Sequence, residues 1–496
     1  MITPTGPPKS AIMGASRSLR ARDPDTRSPA GIKETGGTDQ SIWSTDVSSI
    51  IKDRTFYITF IKISAALALQ QLVSYCVNLA DNVMLGSYSE VAMSGSALVS
   101  QIHYILQLMI NGLGTGVVMI GSRYWGMGKP EPIRRFVGMG FKFAVALGAL
   151  FTLASALIPD TILSLYTDDA AVLVQGREYL RLMKWTFVLF PVSYCLTWSL
   201  RSVETTFLGP LLSVVSLVCN ICLNYVFIFG NFGAPEMGVE GAALATLISR
   251  VVEGAIALAY VLFKDKKLML RPGDLLRPDF RDLKLYLGAS LPVTCNLLIF
   301  ALGSSAQTAI LGHSSAAALA ANSIMTIVWQ ITGVVGLTCG GASAIVIGKA
   351  IGEGKQTLID SYSKTLQMLY VIIGAVSAGV LFSLRDIILG FYDLSPETME
   401  LARSMILALC FIVFATCYQY PVSSGIILGG GNSKYSFVVD SIAMWAFALP
   451  CAYISAFVLG WPPLVTFCLL RSDQFVKAFV NGYWVNKRNW YRQLVT

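Results

Sequence analysis

The stretch RYWGMGK at residues 123–129 returns as KAIGEGK at residues 349–355 when the chain is shifted by 226 residues. The two stretches share both glycines and the final lysine, and each begins with a cation, Arg123 or Lys349. The same shift pairs further positions: Leu85 and Gly86 with Leu311 and Gly312, and Gly114 with Gly340. Similarity at one fixed spacing is typical of internal duplication. The sequence therefore predicts two homologous halves.

The composition predicts that both halves lie in a lipid bilayer. Of the 496 residues, 54% are hydrophobic and only 13% are charged, and the mean hydropathy is +0.62. Soluble domains keep about a quarter of their residues charged. Since one crossing needs about 20 mostly apolar residues, we expect an all-α polytopic membrane protein with about twelve transmembrane helices. The predicted spans lie near 57–82, 93–121, 136–158, 178–200, 211–230, 241–263, 285–311, 319–347, 366–384, 403–424, 437–460 and 463–483.

The repeat and the spans together predict the domain organisation. An N-lobe of six spans covers 51–263, a basic linker covers 264–284, and a C-lobe of six spans covers 285–485. Six spans per half make the repeats parallel, a common transporter plan with the substrate path at their junction. Residues 1–50 are rich in Pro, Gly, Ser and charge, so we expect a disordered tail there. A short tail is expected over 486–496.

Lysine and arginine predict the orientation. The loop after span 2 and the linker are basic, whereas the loops near 159–176, 231–240 and 312–318 contain neither residue. We expect the protein to lie in the plasma membrane. The positive-inside rule then places both termini in the cytoplasm. This asymmetry accounts for the net charge of +8, so we expect no nucleic-acid partner. The loop cations are Arg123, Lys129, Arg134, Arg135, Lys264, Lys266, Lys267, Arg271, Arg277, Arg281 and Lys284.

Span 1 carries a polar stripe. Gln70, Ser74, Asn78 and Asp81 are spaced by four, four and three residues, so they share one helical face. A charged side chain in a span costs about 2.5–3.5 kcal/mol even on lenient insertion scales. We therefore assign Asp81 a functional role, whereas interhelical hydrogen bonding alone explains a serine in this position. The counterparts after the 226-residue shift are Asn296, Phe300, Ser304 and Gln307.

Motifs for catalysis, nucleotides or metals are weak. The stretch GKAIGEGKQT at 348–357 lacks the glycine spacing of a phosphate-binding loop. Cys219 and Cys222 have CxxC spacing, but no second pair or histidine cluster accompanies them. Arg250 and Glu253 are three residues apart in span 6, which predicts an ion pair between them. We expect no enzyme activity, no metal site and no cofactor other than a coupling ion.

With these features the chain resembles the multidrug and toxic compound extrusion (MATE) transporters. The resemblance rests on ADNVMLG at 80–86, CNICLNYVFIFGNFGAPEMGVEGAALATLISR at 219–250 and GIILGGGNSKYSFVVD at 425–440. It covers about residues 50–490. It implies two six-helix lobes that form a V, with alternating access driven by a proton or sodium gradient.

The resemblance also implies a cation-coupling site. The family's central acidic residue in the first span corresponds to Asp81, and its neighbours correspond to Asn220, Asn224 and Thr246. Many similar members have Asp where Asn224 stands, and another branch has a glutamate at the position of Phe300. Carboxylate-rich sodium binding is therefore not expected. Asp440 either substitutes for the missing C-lobe carboxylate or forms a structural ion pair or cap.

These observations predict an antiporter that exports amphipathic, cationic compounds in exchange for protons rather than sodium. Burial among neutral groups should favour protonation of Asp81. Tyr75, Met84, Asn296 and Phe300 join the stripe residues as expected cavity lining, since aromatic faces attract organic cations. The expected partners are a small drug-like molecule and membrane lipids, and the expected state is a monomer. The alternative is a flippase for a lipid-linked precursor, although the cavity spans show no basic cluster beyond Lys62.

Overall fold

The computed structural model describes residues 50–51, 53–167, 169–277, 279–314, 316–392, 395–487 and 490–492. All regular structure in these ranges is helical, which confirms the predicted all-α class. The N-terminal tail expected over 1–50 lies outside the described residues apart from Ile50, so it stays a prediction.

Helices α1 to α8 and the turns between them build the first half. They are α1 (Arg54–Tyr88), α2 (Glu90–Gly126), α3 (Pro130–Leu157), α4 (Pro159–Ser164), α5 (Ala170–Met183), α6 (Thr186–Ser202), α7 (Leu208–Phe227) and α8 (Gly238–Ala259), with α4 a short connector and α5 and α6 one broken span. A π-helical turn extends α8 to Lys264, and α9 (Pro272–Leu276) lies in the linker.

The second half follows the same order. It contains α10 (Leu283–Ser314), α11 (Ala316–Gly352), α12 (Gln356–Gly390), α13 (Pro396–Pro421), α14 (Ser433–Ser441), α15 (Leu449–Tyr453), α16 (Pro463–Leu470) and α17 (Asp473–Lys487). A π-helical segment, Val422–Ile427, continues α13, and two others, Ile442–Ala448 and Ile454–Val458, continue α14 and α15 as one span.

Ten of the described helices are long and apolar enough to cross a membrane as continuous spans. The two remaining predicted spans, 178–200 and 463–483, are each broken into two shorter helices. The first breaks at Lys184 and Trp185 between α5 and α6, and the second at Arg471 and Ser472 between α16 and α17. The predicted total of about twelve crossings therefore corresponds to ten continuous helices and two interrupted ones.

The helix ends follow the sequence repeat. Shifted by 226 residues, the ends of α2 at Glu90 and Gly126 fall on those of α11, Ala316 and Gly352. In the repeated turns after these helices, Gly128 has φ 70° and Gly354 has φ 71°. This left-handed conformation favours glycine. The repeated stretch is thus a helix-ending turn, and two homologous halves are confirmed.

The lobes contact each other at the end that carries these turns. Gly112 and Gly116 of α2 pack against Thr294 and Ser290 of α10. Gly352 of α11 packs against the backbone of Arg123 in α2. Small residues allow such close approach between membrane helices.

Polar contacts also join the lobes at this end. Lys349 Nζ in α11 lies 2.7 Å from Glu204 Oε2, just after α6. The Arg123 side chain donates to Gly429 O at 3.0 Å and to Arg492 O at 2.6 Å. Arg123 is only 1% exposed, so it is not the loop cation that the sequence suggested. Within the segment expected as a short tail, Trp490 is likewise buried.

Candidate functional site

Asp81 lies in the last two turns of α1 and contacts α7. Its Oδ1 accepts a hydrogen bond of 2.6 Å from Asn224 Nδ2. The same amide also donates to Asn220 Oδ1 at 3.2 Å. The spacing of four residues places both asparagines on one face of α7, which packs against α1. A carboxylate and two amides therefore form one polar chain.

The chain of hydrogen bonds continues into α8. Asn220 Nδ2 donates to Thr246 Oγ1 at 3.3 Å. Asn220, Asn224 and Thr246 are 1%, 0% and 6% exposed, so the network is shielded from the surroundings. Asn224 Oδ1 accepts no hydrogen bond from the described residues. The structure thus brings the four expected coupling residues together and leaves one buried acceptor oxygen beside the carboxylate.

Two residues that sequence reasoning did not assign to this site complete its surroundings. Tyr179 of α5 is buried in the region where α5 packs against α8, the helix of Thr246. Arg250 of α8 lies within electrostatic range of Asp81, and its Nη1 lies 2.6 Å from Glu253 Oε2, which confirms the predicted pair. Arg250 follows Thr246 by four residues, so helical periodicity alone places both on one face.

The polar residues predicted as one stripe on α1 contact two different neighbouring helices. Gln70 Oε1 accepts a hydrogen bond of 2.5 Å from Arg201 Nη2 in α6. Ser74 Oγ donates to its own helix at Gln70 O, 2.9 Å away, and Asn78 is exposed. Tyr75 and Met84 are half-buried. The stripe is one helical face, but only its Asp81 end is hydrogen-bonded to α7.

The C-lobe counterparts do not form a second copy of the Asp81 network. Asn296 Nδ2 donates to Asp440 Oδ2 at 2.9 Å. The rings of Phe300 and Trp329 lie 6.3 Å apart in the C-lobe interior. Gln307 is 5% exposed and its Nε2 donates to Leu470 O at 3.0 Å, so this side chain faces α16 and not an open cavity. A polar pattern in sequence could not specify which neighbour each side chain meets.

The described ranges contain no group of three or more His, Cys, Asp or Glu side chains that could hold a metal ion. Cys219 and Cys222 are both free thiols, and Cys222 is exposed on its helix.

A family comparison matches the chain twice. The MatE family model matches residues 66–226 and again residues 292–454. These two segments begin 226 residues apart, the distance of the sequence repeat. Together they cover most of both lobes.

Individual relatives extend the similarity over nearly their whole length. The chain is 24% identical to a probable multidrug resistance protein NorM of Thermotoga maritima over 422 residues, covering 84% of this chain and 90% of the relative. It is 28% identical to a NorM protein of Listeria monocytogenes over 435 residues, covering 86% and 94%. A solved MATE family multidrug resistance transporter in an outward-facing conformation matches with a TM-score of 0.79 and 18% identity, covering 87% and 95%.

Proposed function

This chain belongs to the MatE family of multidrug transporters, and on that premise we propose that it exchanges inward protons for outward organic cations, with Asp81 as the coupling residue. The observation that carries the proposal is the buried hydrogen-bond chain from Asp81 through Asn224 and Asn220 to Thr246. A carboxylate in a membrane helix is costly and marks a functional site. The NorM relatives are named as probable multidrug resistance proteins, which supports a role in the export of small molecules.

The groups around Asp81 favour a proton over sodium as the coupling ion. A hard cation seeks several oxygen ligands, preferably with more than one carboxylate. Near Asp81 the partners are the amides of Asn220 and Asn224 and the hydroxyl of Thr246. A proton needs no such shell of ligands.

Protonation offers a physical route to coupling. The 2.6 Å bond from Asn224 to Asp81 is strengthened by the charge of the carboxylate. Protonation removes that charge, which weakens the hold of α7 on α1 and the attraction of Asp81 for a cationic substrate. Proton and substrate would then favour different arrangements of α1, which is the condition for exchange between two states.

The contacts between the lobes support an outward-facing state. The lobes meet near the basic turns, through Lys349 and Glu204 and through Arg123. If basic loops mark the cytoplasmic side, this seal is cytoplasmic and the substrate path opens outward. We further propose a monomer in the plasma membrane with both termini in the cytoplasm, surrounded by lipid on its apolar outer faces.

Ethidium transport by purified protein in liposomes tests this function. An imposed proton gradient should drive ethidium across the membrane, and the movement should stop when an ionophore collapses the gradient. Empty liposomes under the same gradient give the background rate. Ethidium movement equal to that background would contradict the proposal.

A further inference from the structure

A basic groove lies between the start of α10 and the turn that precedes α14. It has a volume of about 190 Å³, and three of the residues that line it are the cations Lys284, Lys434 and Arg492. They come from three separate parts of the chain, which are the first turn of α10, the first turn of α14 and the segment 490–492. None of the described residues that line this groove is acidic.

The cations of the basic groove have no acidic partner among the described residues. None of the ion pairs formed there includes Lys284, Lys434 or Arg492. Asp282, close to Lys284 in sequence, lies 2.7 Å from Arg135 Nη1 instead. Both lysines also lie in the first turn of a helix, where the helix dipole disfavours a cation and favours an anion. The groove therefore suits a ligand with negative charge.

Hydrogen bonds hold the walls of the basic groove in place. Ser433 Oγ donates to Gly288 O at 3.3 Å, which joins α14 to α10. Arg492 N donates to Gly430 O at 2.8 Å, and Trp490, two residues earlier, is only 1% exposed. The backbone that carries the cations is therefore ordered before a ligand binds, which lowers the entropic cost of binding.

An apolar groove begins one residue further along α14. It has a volume of about 480 Å³ and is lined by Tyr435, Phe479, Val480, Tyr483 and Trp484. The rings of Tyr435 and Trp484 stack with their centroids 4.3 Å apart, while Phe479 is 69% exposed. Aromatic side chains of this kind gather where transmembrane helices meet the interface of lipid and water. A basic groove next to an apolar one fits a molecule with an anionic head and apolar chains.

We infer that the basic groove binds the phosphate group of an anionic phospholipid whose acyl chains lie along the apolar groove. Basic pockets between transmembrane helices on the cytoplasmic side suit anionic head groups. The basic groove lies at the end of the molecule with the basic turns, since Arg123 of the first turn donates to Arg492 O. It shares no residue with the hydrogen-bond network of Asp81, so this lipid site goes beyond the export function.

The lipid site is connected to the contact between the lobes. Arg123 of α2 donates to Arg492 O at 2.6 Å and to Gly429 O at 3.0 Å. A phosphate bound by the Arg492 side chain holds the segment 490–492 against the C-lobe. The lipid thereby stabilises the acceptor that Arg123 uses to join the N-lobe to the C-lobe.

Native mass spectrometry of the full-length purified protein tests the site with two lipids that have the same acyl chains. Phosphatidylglycerol is anionic, whereas phosphatidylcholine has no net charge, so the wild type should bind phosphatidylglycerol more tightly. Lys284→Gln and Lys434→Gln should each weaken phosphatidylglycerol binding by about fivefold and leave phosphatidylcholine binding unchanged. Lys266→Gln is the matched control, because Lys266 is an exposed cation of the linker that lies outside the basic groove.

A second pair of variants tests the apolar groove. Phe479→Ser should weaken phosphatidylglycerol binding because it removes apolar contact with the acyl chains. Phe411→Ser is the control, since Phe411 is 74% exposed but belongs to α13 and lies outside the groove. Equal binding by these two variants would contradict the proposed position of the chains.

Three results would overturn the lipid site. The first is equal affinity of the wild type for the two lipids, and the second is a loss in Lys266→Gln as large as that in the groove variants. The third is displacement of phosphatidylglycerol by millimolar inorganic phosphate, which would make the groove a site for free phosphate. If one groove variant does not fold, the other lysine variant decides the comparison with Lys266→Gln.

Discussion

Gain or loss of one proton by Asp81 changes the charge on the part of α1 that contacts α7. The carboxylate accepts from Asn224 at 2.6 Å, and the amide of Asn220 and the hydroxyl of Thr246 extend the chain. All three partners are neutral. The charge of the site therefore changes with the protonation of one residue, which makes that residue the first to test.

Replacing Asp81 by asparagine keeps the shape of this site and removes its proton exchange. The amide oxygen that Asp81→Asn introduces can still accept from Asn224, so we expect a folded protein. Ethidium export driven by a proton gradient should fall to the background of empty liposomes. Export at the wild-type rate would contradict the role of Asp81.

Gln307 is the matched control, because it occupies the position of Asp81 in the second half. Gln307→Ala removes the bond to Leu470 O and leaves a cavity between α10 and α16. The free energy of unfolding should fall by about 1–3 kcal/mol, while proton-driven export by the surviving folded protein is retained. Thermal unfolding and liposome transport measure the two effects separately. Loss of coupling in folded Gln307→Ala would show that the second half has an equivalent role.

Asn224 should set which ion the site accepts. In Asn224→Asp, a second carboxylate lies where the amide now donates to Asp81 at 2.6 Å. Two carboxylates this close repel strongly unless a proton or a metal cation lies between them. At alkaline pH, where protons are scarce, we expect export by this variant to become dependent on sodium. Asn224→Leu is the control without a new charge, and sodium dependence in both variants would refute the explanation.

The members of the hydrogen-bond network around Asp81 could be named from the sequence, but the details of their contacts could not. Asp81 stood out because a carboxylate is rare in an apolar span, and Asn220, Asn224 and Thr246 came from the family resemblance. Periodicity gives the face of a helix, but it does not give the helix that packs there. This is why Gln70 and Asp81, predicted as one stripe, contact α6 and α7 respectively.

Among the helices, the sequence repeat correctly related the ends of α2 to those of α11. Composition, in contrast, did not predict that two of the spans are interrupted. A shift of 226 residues relates the ends of α2 to those of α11. Hydropathy showed where spans lie but missed the breaks between α5 and α6 and between α16 and α17. Each break falls at a cation, Lys184 or Arg471. Averaging over a window of residues hides such a local interruption.

The crossing of α2 and α11 tests the seal between the lobes. A side chain at Gly352 would meet the backbone oxygen of Arg123. Gly352→Val should therefore prevent close approach, raise hydrogen exchange of the backbone in 119–129 and 345–355, and lower ethidium export about tenfold, because the sealed state is no longer favoured. Gly333→Val is the control on the same helix, since a side chain there meets open space. Equal exchange in the two variants would contradict the seal.

For the whole molecule, the two lobes are alike in helix order but unlike in charge. The N-lobe places Asp81 beside the amides of Asn224 and Asn220, whereas the C-lobe places Asp440 beside the enclosed pair of Lys477 and Asp473. Duplication in the sequence predicted the common architecture, and it could not predict this difference in chemistry.

The most direct test of the account compares two ion gradients across liposomes that contain the wild-type protein. Ethidium export is measured first with a proton gradient in sodium-free buffer, and then with a sodium gradient at the same pH on both sides. The account predicts export in the first experiment and background movement in the second. Robust export driven by sodium at clamped pH, with none driven by protons, would contradict the claim that protonation of Asp81 drives export.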